Sequence, residues 1–262
     1  MPLYRKENLD VLCDPYTHHP LQLLTDGQTD YLTDPSTGRR YPIVDQMPEF
    51  ITPADITGSN QKMARFYHRI APYYDLVMRI FYWFFGGDKK ARMEYLKHLE
   101  IHEGDKVLEV SVGTGANIRR LPRTAQYFGL DISADQLRQC RKNKAKYNMD
   151  IELFLGNAEH LPFKDEAFDV VFHAGGINFF SDKKRAIDEM IRVAKKGSKL
   201  LIADETEKAL KTSDKYAGRM SPVKNRTAAI SAPVDLLPAT VSDVEVSEIH
   251  RGVFYCLVFR KT

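Results

Sequence analysis

The fold is decided by VLEVSVGTGAN, residues 107–117, in which a short apolar run carrying one acid leads into a segment with Gly113 and Gly115. The run predicts a buried β-strand, and the glycines predict a tight turn into a helix. Ligands of open α/β sheets bind at such turns, because glycine lets the backbone approach the ligand and the helix N-terminus offers free amide groups. A turn that uses glycine for conformational reasons alone is the alternative.

The surrounding sequence predicts an α/β fold with a doubly wound, mostly parallel sheet. Five short runs are apolar nearly throughout, as in a parallel sheet covered on both faces: 106–110, 127–130, 151–155, 168–173 and 199–203. Between them, 133–147 opens with a capping box and 182–195 carries one apolar helical face. Residues 244–246 and 253–259 predict an antiparallel hairpin at the edge of the sheet.

Three regions follow from the changes in pattern along the chain. Residues 1–57 are rich in turn formers and predict a small β-rich module. Residues 58–103 show helical periodicity, and residues 104–262 form the α/β domain.

The composition is that of an ordinary globular protein. The 262 residues are 43% hydrophobic and 28% charged, with a net charge of +3, which is too low to hold nucleic acid without a local basic patch. Three cysteines, Cys13, Cys140 and Cys256, offer neither a disulfide framework nor a metal-ligand pair. With no signal core and no apolar run long enough to span a bilayer, we expect a soluble, cytoplasmic protein.

Spacing within residues 107–117 separates the candidate ligands. A dinucleotide fingerprint requires a third glycine where Ile118 stands, and the Gly-Lys-Ser/Thr of a phosphate-binding loop is absent. Glu109 would repel a pyrophosphate, whereas it suits a ligand with a positive centre or a free amino group. The sequence therefore disfavours both a dinucleotide-binding loop and a phosphate-binding loop.

Further polar residues follow the other predicted strands. Asp131 can accept hydrogen bonds from both ribose hydroxyls, or serve as a helix N-terminal charge. Asn157 can hydrogen-bond an adenine between Ile132 and Ala158, or serve as a turn residue. His173 lies at the end of the fourth strand. These strand ends converge on one crevice, which is stronger evidence for a binding site than any single residue.

Residues from about 60 to 204 resemble the class I S-adenosylmethionine-dependent methyltransferases, in the branch of ubiquinone and menaquinone biosynthesis. The resemblance is carried by Glu109-x-x-x-Gly113-x-Gly115, by 129–133, 157–163 and 168–171, and by 189–195. It implies a seven-stranded sheet whose last strand is antiparallel, S-adenosyl-L-methionine as cofactor and S-adenosyl-L-homocysteine as product.

The resemblance also implies roles for individual residues. Gly113 and Gly115 would pass the methionine portion, Asp131 would hold the ribose, and Asn157 with Ala158 would hold the adenine. Tyr74, in a helical lid, would contact the cofactor, with ordinary helix packing as the alternative.

Methyl transfer is an in-line displacement that needs alignment more than it needs a base. If the acceptor must lose a proton, His173 is the candidate base, with a structural histidine as the equal alternative. The aromatic residues 81–85 could line a pocket for a small, lipophilic or aromatic acceptor, although aromatic residues at helical spacing are more often part of the core. A basic segment after the fifth strand could meet an anionic acceptor or a membrane surface, or be a solvated loop; it contains Lys215, Arg219, Lys224 and Arg226.

In the N-terminal module, residues 12–15 (LCDP) and 38–50 (GRRYPIVDQMPEF) resemble the zinc-ribbon domains that precede some ribosomal-RNA methyltransferases. Cys13 is the one cysteine kept, so we expect no metal and a core made by Tyr41, Ile43, Val44, Met47 and Phe50. The similarity raises a second hypothesis, a ribosomal- or transfer-RNA methyltransferase. It would use basic residues of the second helix: Arg138, Arg141, Lys142, Lys144 and Lys146. A third is a non-catalytic cofactor-binding or partner-stabilising protein.

Overall fold

The structure is a computed structural model that describes residues 6–27, 29–52, 56, 82–83, 85–209 and 231–262. Tyr74, most of the predicted lid and the basic segment from Lys215 to Arg226 lie outside the described residues. No helix in the described ranges is long and apolar enough to cross a membrane.

The N-terminal module is a four-stranded antiparallel sheet, as the turn-rich sequence predicts. Its strands are β1 (Gln22–Asp26), β2 (Thr29–Thr33), β3 (Arg40–Val44) and β4 (Met47–Pro48), and a 3₁₀ turn, Lys6–Val11, precedes them. Of the predicted core residues, Tyr41, Met47 and Phe50 are buried. The prediction was wrong for Val44, which is 44% exposed because it is the last residue of β3 and faces solvent.

Hydrogen-bonded aspartates organise the two turns of the module. Asp14 Oδ1 accepts hydrogen bonds from the backbone of the following turn, and Thr17 Oγ1 donates to Asp34 Oδ2 at 2.9 Å. Tyr41 Oη donates to Asp14 Oδ2 at 2.7 Å. Cys13 lies outside these turns, buried where its backbone amide donates to Pro162 O of the main domain. The turns are thus cross-linked by carboxylates and hydroxyls.

The main domain is built on a seven-stranded sheet. Its strands are β5 (Lys106–Val110), β6 (Gln126–Asp131), β7 (Ile151–Leu155), β8 (Val170–Ala174), β9 (Lys199–Glu205), β10 (Val241–Ile249) and β11 (Phe254–Lys261). Their order in the sheet is β10-β11-β9-β8-β5-β6-β7, which confirms the predicted fold. The helices are α1 (Asp88–Leu96), α2 (Ala134–Tyr147) and α3 (Lys183–Val193). β5 to β9 pair in parallel, and β11 pairs antiparallel with β9.

The two faces of this sheet bury different clusters. Leu108, Val110 and Val171 face one side, where they meet α3 and the N-terminal module. Val107, Val170 and Phe172 face the other side, where they meet α1 and α2. Since side chains alternate along a strand, Glu109, Gly129 and Asp131 belong to the α1/α2 face of the sheet.

Local sequence explains the helix boundaries. Ser133 Oγ accepts the backbone N–H of Gln136 at 3.3 Å and caps α2, as the capping box predicts. Asn148, in the left-handed conformation at φ 49°, ends the same helix. Asp182 caps α3 by accepting the N–H of Arg185 at 2.9 Å.

Candidate active site

The loop after β5 contains three residues with positive φ, a conformation that glycine adopts more easily than other residues. Gly113 and Gly115 have φ values of 54° and 75°, and Ser111 has a φ of 62°. A Cβ built on Gly115 would meet Cys140 Sγ of α2 at 2.8 Å, whereas one built on Gly113 would find no atom closer than 4.0 Å. Gly115 therefore packs the loop onto α2, and Gly113 leaves open space beside the loop.

Glu109 is a buried carboxyl next to this loop. Burial raises its pKa to about 8, against the opposing effects of a hydrogen bond from Asn117 and the charge of Arg92. Oε1 accepts from Asn117 Nδ2 at 2.6 Å, and Oε2 has no hydrogen-bond partner among the residues that the structure describes. A buried acceptor left in this way is costly, and a cationic ligand would stabilise its ionised form.

Asp131 lies at the end of β6 on the same face of the sheet. Its Oδ2 accepts the N–H of Gly113 at 2.8 Å, and its Oδ1 accepts the N–H of Ser133 at 2.9 Å. Burial raises its pKa to about 6 although these backbone bonds favour the charged form. Each carboxylate oxygen keeps a second lone pair, so the residue can bind a further donor while it braces the glycine loop.

Asn157 and Ala158 follow β7 and lie beside Asp131, because Gly156 N donates to Asp131 O at 3.0 Å. Asn157 Oδ1 accepts the N–H of Glu159 at 3.0 Å, Ala158 is buried, and Ile132 is half-buried. The structure thus brings the predicted ribose and adenine residues together at the carboxyl ends of β6 and β7.

His173 is fully buried and pairs with Val110 across β8 and β5, so it points away from the face that holds Glu109. Its Nδ1 lies 3.0 Å from Val110 O, and its ring packs against Phe180 at 5.3 Å. Burial lowers the pKa of the ring. Its Nε2 has no hydrogen-bond partner among the residues that the structure describes. The burial and the contact with Val110 favour the structural interpretation of this histidine, and a role as base stays a prediction.

The sequence analysis missed a polar cluster contributed by α1. Arg92 Nη1 and Tyr95 Oη each donate to Asn117 Oδ1 at 2.7 Å. All three side chains are buried, and Asn117 in turn donates to Glu109. No motif spacing could have found these contacts, because Asn117 is 25 residues from Arg92 in the chain.

A second buried histidine was also missed. The Nδ1 of His250 lies 2.8 Å from Glu94 Oε2 of α1, and its ring is surrounded by Tyr82, Phe85 and Phe254. Burial lowers its pKa against the raising effect of Glu94. His250 has a φ of 53°, in the left-handed region, and a histidine there gives no recognisable sequence motif.

The N-terminal module holds the segment that follows β7. Phe50 N donates to Leu155 O at 2.8 Å, and Lys164 N donates to Val11 O at 2.9 Å. Together with the contact of Cys13, these bonds tie both ends of residues 155–164 to the module. That segment contains Asn157 and Ala158.

The basic face of α2 is largely committed to the protein itself. Arg141 pairs with Asp45 at 2.6 Å, and Lys144 Nζ donates to Ile151 O at 2.6 Å. Arg138 pairs with Asp135 of the same helix at 2.7 Å. These contacts weaken the RNA hypothesis, which needs a continuous and available basic stripe. In the described ranges, no group of three or more His, Cys, Asp or Glu side chains could hold a metal.

Comparisons with known proteins agree with this geometry. A family model described as "Methyltransferase domain" matches residues 108–202. The demethylmenaquinone methyltransferase of Porphyromonas gingivalis is 31% identical over 166 residues, which are 61% of this chain and 67% of that protein. The enzyme of the same name from Thermotoga maritima is 36% identical over 151 residues, 56% of this chain and 63% of that protein. The aligned segments thus span about two thirds of these relatives.

Solved structures give the same fold. An S-adenosylmethionine-dependent methyltransferase from Thermotoga maritima superposes with a TM-score of 0.55 at 22% identity, covering 75% of this chain and 99% of that one. The chain belongs to the class I S-adenosylmethionine-dependent methyltransferases. Its relatives are those of the ubiquinone and menaquinone branch, as the sequence predicts, and its cofactor is S-adenosylmethionine.

Proposed function

We propose that the crevice at the carboxyl ends of β5, β6 and β7 holds S-adenosylmethionine and directs methyl transfer to a small, lipophilic, quinone-type acceptor. The observation that carries the cofactor site is the buried Glu109 carboxyl with one unpartnered oxygen, on the same face as Asp131 and beside the glycine loop. The acceptor class rests on the names of the relatives, which are demethylmenaquinone methyltransferases.

The residues present fit this cofactor. Glu109 would face its positively charged end, and the open side of Gly113 would pass its methionine portion. Asp131 would accept the ribose hydroxyls, and Asn157 would hydrogen-bond the adenine between Ile132 and Ala158. When bound, S-adenosylmethionine would supply a methyl group carried on its sulfonium sulfur. The sulfur keeps the electrons of the broken bond, so the leaving group is the neutral thioether S-adenosylhomocysteine.

The protein's contribution to the reaction is binding, orientation and exclusion of water. Glu109 favours a ligand with more positive charge, so it favours the donor over the product, which has lost the sulfonium charge. Asp131 braces the loop through Gly113 and fixes the cofactor's position at the same time. His173 faces away from Glu109, so its role is structural in this proposal.

The proposed organisation has three parts: the module 1–57, a lid segment 58–103 and the methyltransferase domain 104–262. The contacts between the module and residues 155–164 support a role for the module in holding the adenine end of the site. We also propose that the enzyme works in the cytoplasm and meets its lipophilic acceptor at a membrane surface.

The test of the cofactor site is calorimetric titration with S-adenosylmethionine, S-adenosylhomocysteine and NAD, for the wild type and for Asp131→Ala. We expect micromolar binding of the first two, at least tenfold weaker binding in the variant, and no binding of NAD. Equal affinities of wild type and variant would contradict the assigned site.

The test of the acceptor is incubation with reduced demethylmenaquinone and methyl-labelled cofactor, followed by mass spectrometry of the lipid. A mass gain of one labelled methyl group supports the proposal, and the fragment pattern gives the methylated atom. Cofactor binding without any lipid product would contradict the acceptor class and leave the cofactor site standing.

A further inference from the structure

Helix α1 sends two buried side chains toward the loop that follows β5. Arg92 Nη1 and Tyr95 Oη both donate to Asn117 Oδ1 at 2.7 Å. Arg92 is further fixed by Asp88, whose Oδ1 accepts from its Nε at 2.7 Å, and by the ring of Tyr82, 4.9 Å below its guanidinium. The Arg92 guanidinium is therefore held in place beside Asn117.

These two hydrogen bonds determine which way the Asn117 amide faces. An amide oxygen that accepts from two donors is saturated, so the amide nitrogen must point to the opposite side. On that side Nδ2 donates to Glu109 Oε1 at 2.6 Å. One carboxylate oxygen of Glu109 is thus committed to the protein, and Oε2 is left as the buried acceptor without a partner in the described structure.

The same helix also holds the chain beyond Asn117. Asp88 Oδ2 accepts from Arg119 Nη2 and from Arg120 Nε, each at 3.2 Å. Residues 117–120 are therefore tied to α1 at two places, at Asp88 near its start and at Arg92 and Tyr95 farther along the helix. A shift of α1 along its axis would move Asn117, and with it the hydrogen bond to Glu109.

We propose that Arg92 and Tyr95 are positioning residues that act through Asn117 to aim the free oxygen of Glu109 at the positively charged end of the methyl donor. The inference rests on the cofactor site proposed above, and it adds α1, which lies outside the segment matched by the family model, to the machinery of that site. The three residues touch Glu109 or one another, so their effect on the donor is indirect.

The charged and titratable groups near Glu109 come from three elements. Arg92 from α1 and the amide of Asn117 favour its ionised form, Asp131 from β6 opposes it, and Tyr95 is held neutral by burial. Loss of the relay should therefore make Glu109 harder to ionise, which a purely structural role of these residues would not do.

The experiment compares Asn117→Leu, Tyr95→Phe and the wild type. The titration of Glu109 is followed by NMR of the side-chain carboxyl carbon in ligand-free protein labelled with ¹³C-glutamate, with Glu109→Gln to assign the signal. Affinities for S-adenosylmethionine and S-adenosylhomocysteine are measured from pH 6 to 9. Asn143→Ala is the matched control, because Asn143 Nδ2 holds the same loop through Thr114 O at 3.0 Å without touching Glu109.

We expect Asn117→Leu to raise the midpoint of the Glu109 titration by about one pH unit and to weaken donor binding about 10-fold or more at pH 7, since a hydrogen bond to a charged group is lost. Tyr95→Phe should weaken binding about 2- to 5-fold with a smaller shift. Asn143→Ala should weaken binding equally at every pH and leave the midpoint unchanged.

An unchanged midpoint in Asn117→Leu, or an equal shift in Asn143→Ala, would overturn the relay. If Asn117→Leu does not fold, Tyr95→Phe keeps the test, because it removes one hydroxyl and keeps the buried ring. A wild type that shows the relay but methylates no quinone contradicts only the proposed acceptor. A wild type that binds neither sulfur ligand overturns the cofactor site and this inference together.

Discussion

Affinity for S-adenosylmethionine should rise steeply between pH 6 and pH 8, because Glu109 must ionise to meet the ligand's positive charge. Burial raises the pKa of Glu109 to about 8 in the free protein. The ionised fraction is then about 1% at pH 6 and about 50% at pH 8, so the apparent association constant should rise about 50-fold. A 50-fold change corresponds to about 2.3 kcal/mol of binding free energy.

Calorimetry in two buffers of different ionisation enthalpy measures the affinity and also the number of protons released on binding. At pH 7 the wild type should release close to one proton per cofactor bound. Glu109→Gln should bind as weakly as the wild type does at pH 6 and should lose this proton release. A wild-type affinity that stays constant from pH 6 to pH 8, or a Gln variant that binds as tightly as the wild type, would refute the reasoning.

Three further perturbations probe other parts of the structure. Asp131→Asn should weaken binding of donor and product by the same factor, about tenfold in a direct binding assay, since both ligands carry the ribose; a loss confined to the donor would contradict the assignment. Gly115→Ala should lower the free energy of unfolding by about 2–3 kcal/mol in a denaturant titration, because φ is 75° and a Cβ would meet Cys140 Sγ at 2.8 Å. Gly104→Ala is the control: φ is 83° but the space around it is open, so the loss should be only about 1 kcal/mol. Burial lowers the pKa of His173 in the folded protein, so as the pH falls this side chain is protonated in the unfolded chain before it is protonated in the folded one. The stability that neutral His173 contributes is therefore present above about pH 6.5 and is lost as the pH falls. His173→Gln should flatten the decline of the melting temperature below pH 6.5.

Local sequence was sufficient for the architecture of the sheet. Apolar runs bounded by turn residues gave the five parallel strands, because a strand covered on both faces must be apolar throughout. Two of these strands, 106–110 and 151–155, have the predicted bounds, and the ends of the other three moved by one or two residues. The fourth strand, expected at 168–173, is Val170–Ala174. The hairpin was present and longer than predicted, since β10 and β11 extend over nine and eight residues.

The candidate cofactor residues could be proposed from sequence for a related reason. In a parallel α/β sheet the carboxyl ends of the strands lie at one edge, so polar residues that follow successive strands must converge there. Glu109 is the next-to-last residue of β5, Asp131 ends β6 and Asn157 follows β7, and the structure places them at that edge. Their order in the chain was therefore enough to bring them together.

Other features depended on contacts that local pattern does not encode. The face on which His173 lies follows from its register with Val110, and one residue of register reverses the direction of a side chain. The buried position of Cys13 follows from the docking of the N-terminal module onto the main domain. Each depends on pairing between segments that are far apart in the chain.

By itself the sequence determined the α/β sheet, the glycine loop and the family, because these depend on periodicity and on residues a few positions apart. Only the tertiary structure decided what surrounds Glu109. Arg92 precedes β5 and Asn117 follows it, 25 residues apart in the chain, and their hydrogen bond forms only when α1 packs against the sheet. Burial then raises the pKa of Glu109, an effect of the whole fold that no short stretch of sequence contains.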